Sequence, residues 1–174
     1  MALFLAEVVP QQGAQATLEV AANAATAAGS EFVEAQVTAG EGRVFAIFDG
    51  GTAEALSSAL RDAGVQVEVS QVRLVGADLA TVKAQRPASG YLVEWDLPEG
   101  LTMDAYLTRK KEKSPLYAQV PETTFQRTYV REDMVKCLCF YDAPDEAAVI
   151  RAREVVSAPV DRLHRLDATV TSHG

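Results

Sequence analysis

The sequence predicts an α+β protein in which one βαββαβ unit is written twice along a single chain. Three observations carry this. Two pairs of motifs recur in the same order. The apolar spacing alternates between the strand period of two and the helix period near 3.6. The chain has 174 residues, enough for one ordinary domain or two small ones packed together.

The repetition appears first in "LFLAEVVPQ" from Leu3 and "YLVEWDLPE" from Tyr91. Each is a short apolar strand that carries a glutamate, Glu7 or Glu94, and closes at a proline, Pro10 or Pro98. It appears again in "RVFAIFDGGTAEAL" from Arg43 and "KCLCFYDAPDEAAV" from Lys136. Both run from a basic residue through apolar positions to Asp, two turn residues and an Ala-rich acidic helix start. The offset is 87 between the two glutamates and 93 between Arg43 and Lys136, so an insertion is expected near "KKEKSPLYAQ".

In the first half Leu3–Val9 reads as a strand. Ala14–Ala28 reads as a helix, with Leu18, Ala21, Ala25 and Ala28 on one face. Glu31–Thr38 and Arg43–Phe48 form a hairpin across "AGEG". Thr52 caps a second helix that Gly64 stops, and Val65–Val75 is the last strand. In the second half Tyr91–Leu97 is a strand. Thr102 caps a helix from Met103, which Ser114-Pro115 breaks or ends. Thr123–Val130 and Met134–Tyr141 form a hairpin turning at "REDM". Ala143-Pro144-Asp145-Glu146 opens a helix with acids in its first turn, with Ala148, Ala152, Val155 and Val156 inward. Val160–Leu166 closes the unit. This order is the ferredoxin-like motif. The expected division is repeat one over 1–76, linker over 77–90, repeat two over 91–170 and a tail over 171–174. Each half leaves a bare sheet face, so the two are expected to cover each other as an intrachain, pseudo-dimeric α+β barrel.

Composition narrows the function. The net charge of −8 argues against a nucleic-acid partner. Residues 1–80 hold ten acids against Arg43, Arg61 and Arg73, whereas residues 81–174 hold fourteen acids and thirteen bases. An anionic ligand would therefore find its counter-charge in the second half. No apolar run approaches the roughly 18 residues needed to span a membrane. "MALFLAEVVPQQ" lacks a basic start, so the reading is cytoplasmic, with no membrane partner. Exposed strand edges leave a homodimer open. No glycine-rich phosphate loop is present, since "DGGT" at Asp49 is a strand-to-helix turn.

The stretches "YLVEWDLPEG", "YVREDMVKCLCFYDAPDEAAV" and "APVDRLHRL" resemble a known family over residues 91–166. It is an uncharacterised ferredoxin-like family whose best-known type is a small nickel-binding protein that forms dimeric α+β barrels. Glu94, Lys136, Cys139, Tyr141, Ala143, Pro144, Asp145 and Glu146 fall on its pattern. The resemblance implies the fold and a ligand cavity. Ala152 stands where the family places a histidine, and Ala46 stands opposite Cys139 in the first half.

Alternation along the strand puts Cys137, Cys139 and Tyr141 on one face. That face is expected to look away from the helices, with Leu138 and Phe140 toward them, and Glu94 near Cys139. The leading function is binding of a small ligand between the two sheets without an organic cofactor. Glu94, Phe125, Arg127, Tyr129, Cys139 and Tyr141, with Trp95, would line the cavity. The alternative is a cofactor-free isomerase, cyclase or oxygenase with Glu94 as base and Tyr129, Arg127 or His164 as orienting groups. A second alternative is a divalent transition metal held by Cys137, Cys139 and His164, with Glu94. A nucleophilic Cys139 paired with His164 is a further reading, and His173 lies in the polar tail.

Overall fold

The structure is a computed structural model and describes residues 2–85 and 89–167. His173 and the 171–174 tail lie outside the described residues. By its contacts the chain falls into two units. Unit 1 holds described residues 2–73, 78–85, 166 and 167, and unit 2 holds residues 74–77 and 89–165.

In unit 1 the elements run β1 (Leu3–Val8), α1 (Ala14–Ala27), β2 (Glu31–Val37), β3 (Val44–Asp49), α2 (Ala53–Asp62) and β4 (Val67–Val75). The strands pair antiparallel in the order β2-β3-β1-β4. Thr52 accepts a hydrogen bond from the Ala55 amide and so caps α2, as its position before the Ala-rich run predicts. The core between this sheet and its helices includes Phe4, Ala6 and Val8 from β1, Leu18 from α1, Ala46 and Phe48 from β3, and Leu56 and Leu60 from α2.

The stretch read as linker carries a helix, α3 (Leu79–Gln85), started by Asp78 through the Thr81 amide. Val82 is buried. Lys83 reaches Asp49 at 2.7 Å and Glu31 at 2.8 Å. Asp49 is buried, and its Oδ1 has no hydrogen-bond partner. Lys83 is therefore the counter-charge of a buried carboxylate. Lys83→Met is expected to lower stability by about 1–3 kcal/mol, the cost of a buried acceptor left unmatched. A urea midpoint equal to that of the parent would refute this.

Unit 2 runs β5 (Tyr91–Asp96), α4 (Met103–Lys113), a short 3-10 helix (Ser114–Gln119), β6 (Thr124–Arg131), β7 (Lys136–Asp142), α5 (Glu146–Val155) and β8 (Arg162–Arg165). Its strands pair antiparallel in the order β6-β7-β5-β8. Ser114-Pro115 ends α4 but does not end the helical path, because proline is tolerated in the first turn of the 3-10 segment. Thr102 caps α4 and Asp145 caps α5. Gly76 also belongs to unit 2. At φ +87 it lies against Phe125, so closely that a Cβ there would stand 2.7 Å from the ring. Each unit is thus ferredoxin-like, and the protein is of the α+β class.

The two ladders keep one register. Phe4 faces Phe48 and Val8 faces Val44 in unit 1, while Tyr91 faces Tyr141 and Trp95 faces Cys137 in unit 2. These pairs are related by offsets of 87 and 93. The offset of 93 also carries Ala53–Asp62 onto Glu146–Val155. Both hairpins break register at matching places, between Phe32 and Glu34 and between Phe125 and Arg127. A one-residue bulge re-aims the side chains beyond it.

Candidate functional site

Unit 2 sorts its chemistry onto two sheet faces. Cys137, Cys139 and Tyr141 pack with Val93, Trp95, Tyr106 of α4 and Val149 of α5. The thiols therefore face the helices, which reverses the expected orientation. Both sets of side chains on β7 are apolar and buried, so alternation alone could not choose between them. Glu94 is opposite Leu138 in the ladder and lies on the other face, away from Cys139. The bulge splits the expected wall of Phe125, Arg127 and Tyr129. Phe125 faces Tyr141 and stacks on Tyr117 at 5.4 Å. Arg127 lies over the Phe140 ring at 4.8 Å, and Tyr129 meets the same ring at 5.9 Å.

The helix face holds a cluster that sequence reasoning missed. Arg153 on α5 is 2% exposed. Its Nη1 donates to the Tyr141 hydroxyl at 3.1 Å and to Cys139 Sγ at 3.4 Å, and its Nη2 donates to the Pro159 carbonyl at 2.8 Å. Its Nε has no hydrogen-bond partner. The guanidinium lies 5.7 Å from the Trp95 ring centre. Among the described residues no carboxylate reaches it. Leu60 stands 93 positions earlier, buried in the apolar core of unit 1. The same offsets set Val8, Val44, Ala46 and Phe48 against Trp95, Cys137, Cys139 and Tyr141. One unit fills these places with hydrocarbon and the other with hydrogen-bonding groups. Shifting α2 by that offset would have found Arg153 in the sequence.

The two thiols lie 3.9 Å apart and share their protons unequally. Cys137 hydrogen-bonds to Cys139 and holds its thiol well below the usual range; burial opposes this, and the Arg153 charge, Lys110 and the Thr128 hydroxyl at 3.3 Å support it. Cys137 is pushed up correspondingly, by that same hydrogen bond and by burial. Burial also pushes Tyr117 up to about 12 and Tyr141 upward, so both phenols stay protonated at neutral pH. Their hydroxyls are 2.6 Å apart. The expected signature is thiolate ultraviolet absorbance at neutral pH that Cys139→Ser removes and Cys137→Ser does not. Equal spectra for parent and Cys139→Ser would contradict it.

An opening leads to this cluster. It is lined by Trp95, Tyr106, Tyr117, Arg153, Val156 and Ala158, with Arg109, Lys110, Lys113 and Ser114 of α4 and the 3-10 helix beside them. Its cavity volume is about 30 Å³. Lys110 sits over the Phe125 ring at 4.2 Å, and Arg109 donates to the Ser157 carbonyl.

On the other face Glu94 is the hub of an ion cluster. Lys136 reaches it at 2.7 Å, Arg162 at 2.9 Å and His164 Nε2 at 2.7 Å. Burial pushes the carboxyl up, but the three donors outweigh it and hold Glu94 at about 2. Arg162 also binds Asp96. A carboxyl so strongly ionised is a poor proton acceptor at neutral pH.

The expected sites are thus brought together only in part. Glu94 and His164 meet, while Tyr129 and Arg127 share their face with Phe140. Cys139, Tyr141 and Phe125 join Trp95 on the helix face. Cys139 and His164 lie on opposite faces, so neither the nucleophilic pair nor the metal set of Cys137, Cys139, Glu94 and His164 is assembled. Among the described residues no three His, Cys, Asp or Glu side chains converge as ligands would. No helix among them is long and apolar enough to cross a membrane.

No curated protein matches the chain significantly. Several solved structures align over nearly its whole length at low identity. One is named for chlorite dismutase (TA0507), with 12% identity, 96% of this chain and 95% of that one covered, and a TM-score of 0.49. Another is named for a monooxygenase (FN1347) from Fusobacterium nucleatum, with 9% identity, coverage of 95% and 91%, and a TM-score of 0.43. A microcompartment protein from Desulfitobacterium hafniense has 15% identity, coverage of 97% and 96%, and a TM-score of 0.36. Residues 91–166, nearly the whole of unit 2, match the family model described as "Nickel responsive protein SCO4226-like", in agreement with the motifs of this half.

Proposed function

We propose that this protein binds a small ligand in the opening of unit 2 and needs no organic cofactor to do so. The observation that carries this is a buried arginine, its Nε unmatched, among the residues lining an opening walled by Trp95, Tyr106 and Tyr117. Buried polar groups are ordinarily paired, and an unpaired one marks a place where a partner belongs. Ligand sites typically combine an apolar, aromatic wall with a few fixed polar groups. Unit 1 supports the reading by contrast, since it keeps the same fold with hydrocarbon in those places.

The enzyme reading takes Glu94 as its base and a phenol as an orienting group. Glu94 lies on the opposite face and is held ionised, and the phenols at the opening are held protonated. The nickel reading draws on the family description alone. Thermal-shift screening of a small-molecule panel, charged and neutral, tests the proposal. Native mass spectrometry of untagged protein would show any copurified ligand and whether two chains pair. At least one compound is expected to raise the melting temperature of the parent and not of Arg153→Leu. A panel without such a compound, and a bare mass, would remove the proposal.

A further inference from the structure

The geometry points to an oxyanion as the ligand of this opening, either a carboxylate or an inorganic oxyanion, held by Arg153 and Lys110 with any apolar body against Trp95 and Val156. This rests on the ligand-binding reading and names its chemistry.

Charge is the first argument. Among the described residues, each charged side chain lining the opening is a cation: Arg109, Lys110, Lys113 and Arg153. Among the described residues none of the four has an acid within ion-pair distance, although the chain carries 24 acids against 16 bases. Three cations elsewhere in the chain behave differently. Lys83 takes Asp49, and Lys136 and Arg162 take Glu94. A solvated lysine needs no partner, so Lys113 alone would mean little. Arg153 is not solvated. Taking a guanidinium out of water costs several kcal/mol unless an opposite charge comes with it. Cys139 supplies some negative charge on one side, at Nη1. No carboxylate among the described residues completes the neutralisation.

Size and shape are the next argument. A cavity of about 30 Å³ has room for a head group of a few atoms, such as a carboxylate. The donors suit oxygen: the Arg153 guanidinium, the Lys110 ammonium and the Tyr117 hydroxyl, which can turn its proton either way in its pair with Tyr141. Charge-assisted bonds of this kind are the strong ones. Trp95, Val156 and Ala158 offer an apolar surface beside them.

Trp95 is the only tryptophan of the chain, so its fluorescence reads the opening directly. The test titrates the full chain with benzoate, its neutral isostere benzamide, and phosphate, at fixed ionic strength in chloride. Benzoate is expected to give a saturable change, and benzamide to bind at least about tenfold more weakly because the charged bonds are missing. Lys110→Met, at a half-exposed position that should not disturb folding, and Arg153→Leu should each bring benzoate down toward benzamide. Phosphate binding as tightly as benzoate would assign the site to inorganic oxyanions, and benzoate alone would assign it to organic acids. Benzamide matching benzoate, or an unchanged affinity in Lys110→Met and Arg153→Leu, overturns the inference and leaves a ligand site of another chemistry. No saturable response to any of the three probes also overturns it. The thermal-shift panel then decides separately whether ligand binding survives.

Discussion

Arg153→Leu is expected to make the protein more stable while removing its ligand site. The reason lies in the counterpart position, where Leu60 completes the apolar core of unit 1 without cost. In unit 2 the guanidinium is buried with one thiol, one phenol and one carbonyl as partners and no carboxylate. Replacing a buried ion pair by hydrocarbon of similar volume is often neutral or stabilising, by about 1–4 kcal/mol, and here Cys139 can take up a proton once the guanidinium is gone, so that no charge is left behind. Leucine is shorter than arginine, so part of this gain is offset by the space left behind. Two further effects should accompany the substitution. Cys139 loses the charge that helps hold its proton off, so thiolate absorbance should fall. The Trp95 response to ligands should vanish. Chemical denaturation, the ultraviolet spectrum and a fluorescence titration check the three effects on one sample. A variant that unfolds at markedly lower urea than the parent would show Arg153 to be a structural keystone, and would remove the argument that unit 2 sacrifices stability for a site.

The fold was legible because each element carries a local signal. Thr52 and Thr102 precede helices and cap them, and the glutamate-bearing strands at Leu3 and Tyr91 become β1 and β5. The 87 and 93 offsets, read from two motifs, reproduce the ladder registers. The site was far less legible, for three physical reasons. Alternation gives two faces but not which one meets the helices when both are apolar, as in "KCLCFYD". A bulge is invisible to period-two counting, so Phe125 was placed with Arg127 and Tyr129 and is in fact separated from them. Arginine counts as a surface residue in a helical pattern, so "VIRAREVV" gave Val155 to the interior, where Arg153 is the buried residue. Spacing alone likewise cannot show that Cys137 and Cys139 lie on one face of the sheet and His164 on the other.

Glu94→Gln should be the most damaging single change in unit 2, and its effect should depend on pH in a specified direction. Glu94 ties β5 to Lys136 at the start of β7 and to Arg162 and His164 on β8. Removing the carboxylate leaves these groups facing one another around a neutral amide. Breaking a buried cluster from one side costs about 3–5 kcal/mol, because the remaining cations lose the carboxylate they are gathered around. The wild-type carboxyl titrates at about 2 in the folded protein against an ordinary 4.5. A depressed folded value means the unfolded chain takes up the proton more readily. The stabilisation is therefore complete above about 4.5 and lost as the pH falls toward about 2. It amounts to something on the order of 2–3 kcal/mol. The variant has no such proton to bind. It should start from a lower melting temperature at neutral pH and lose less on acidification, so that the two curves converge in acid. Curves that stay parallel down to the acid limit would show that the cluster contributes contacts but no net charge stabilisation. Because Glu94 lies on the face away from the opening, ligand affinity measured on folded Glu94→Gln should match the parent, whereas an enzyme using this carboxylate as its base would lose turnover.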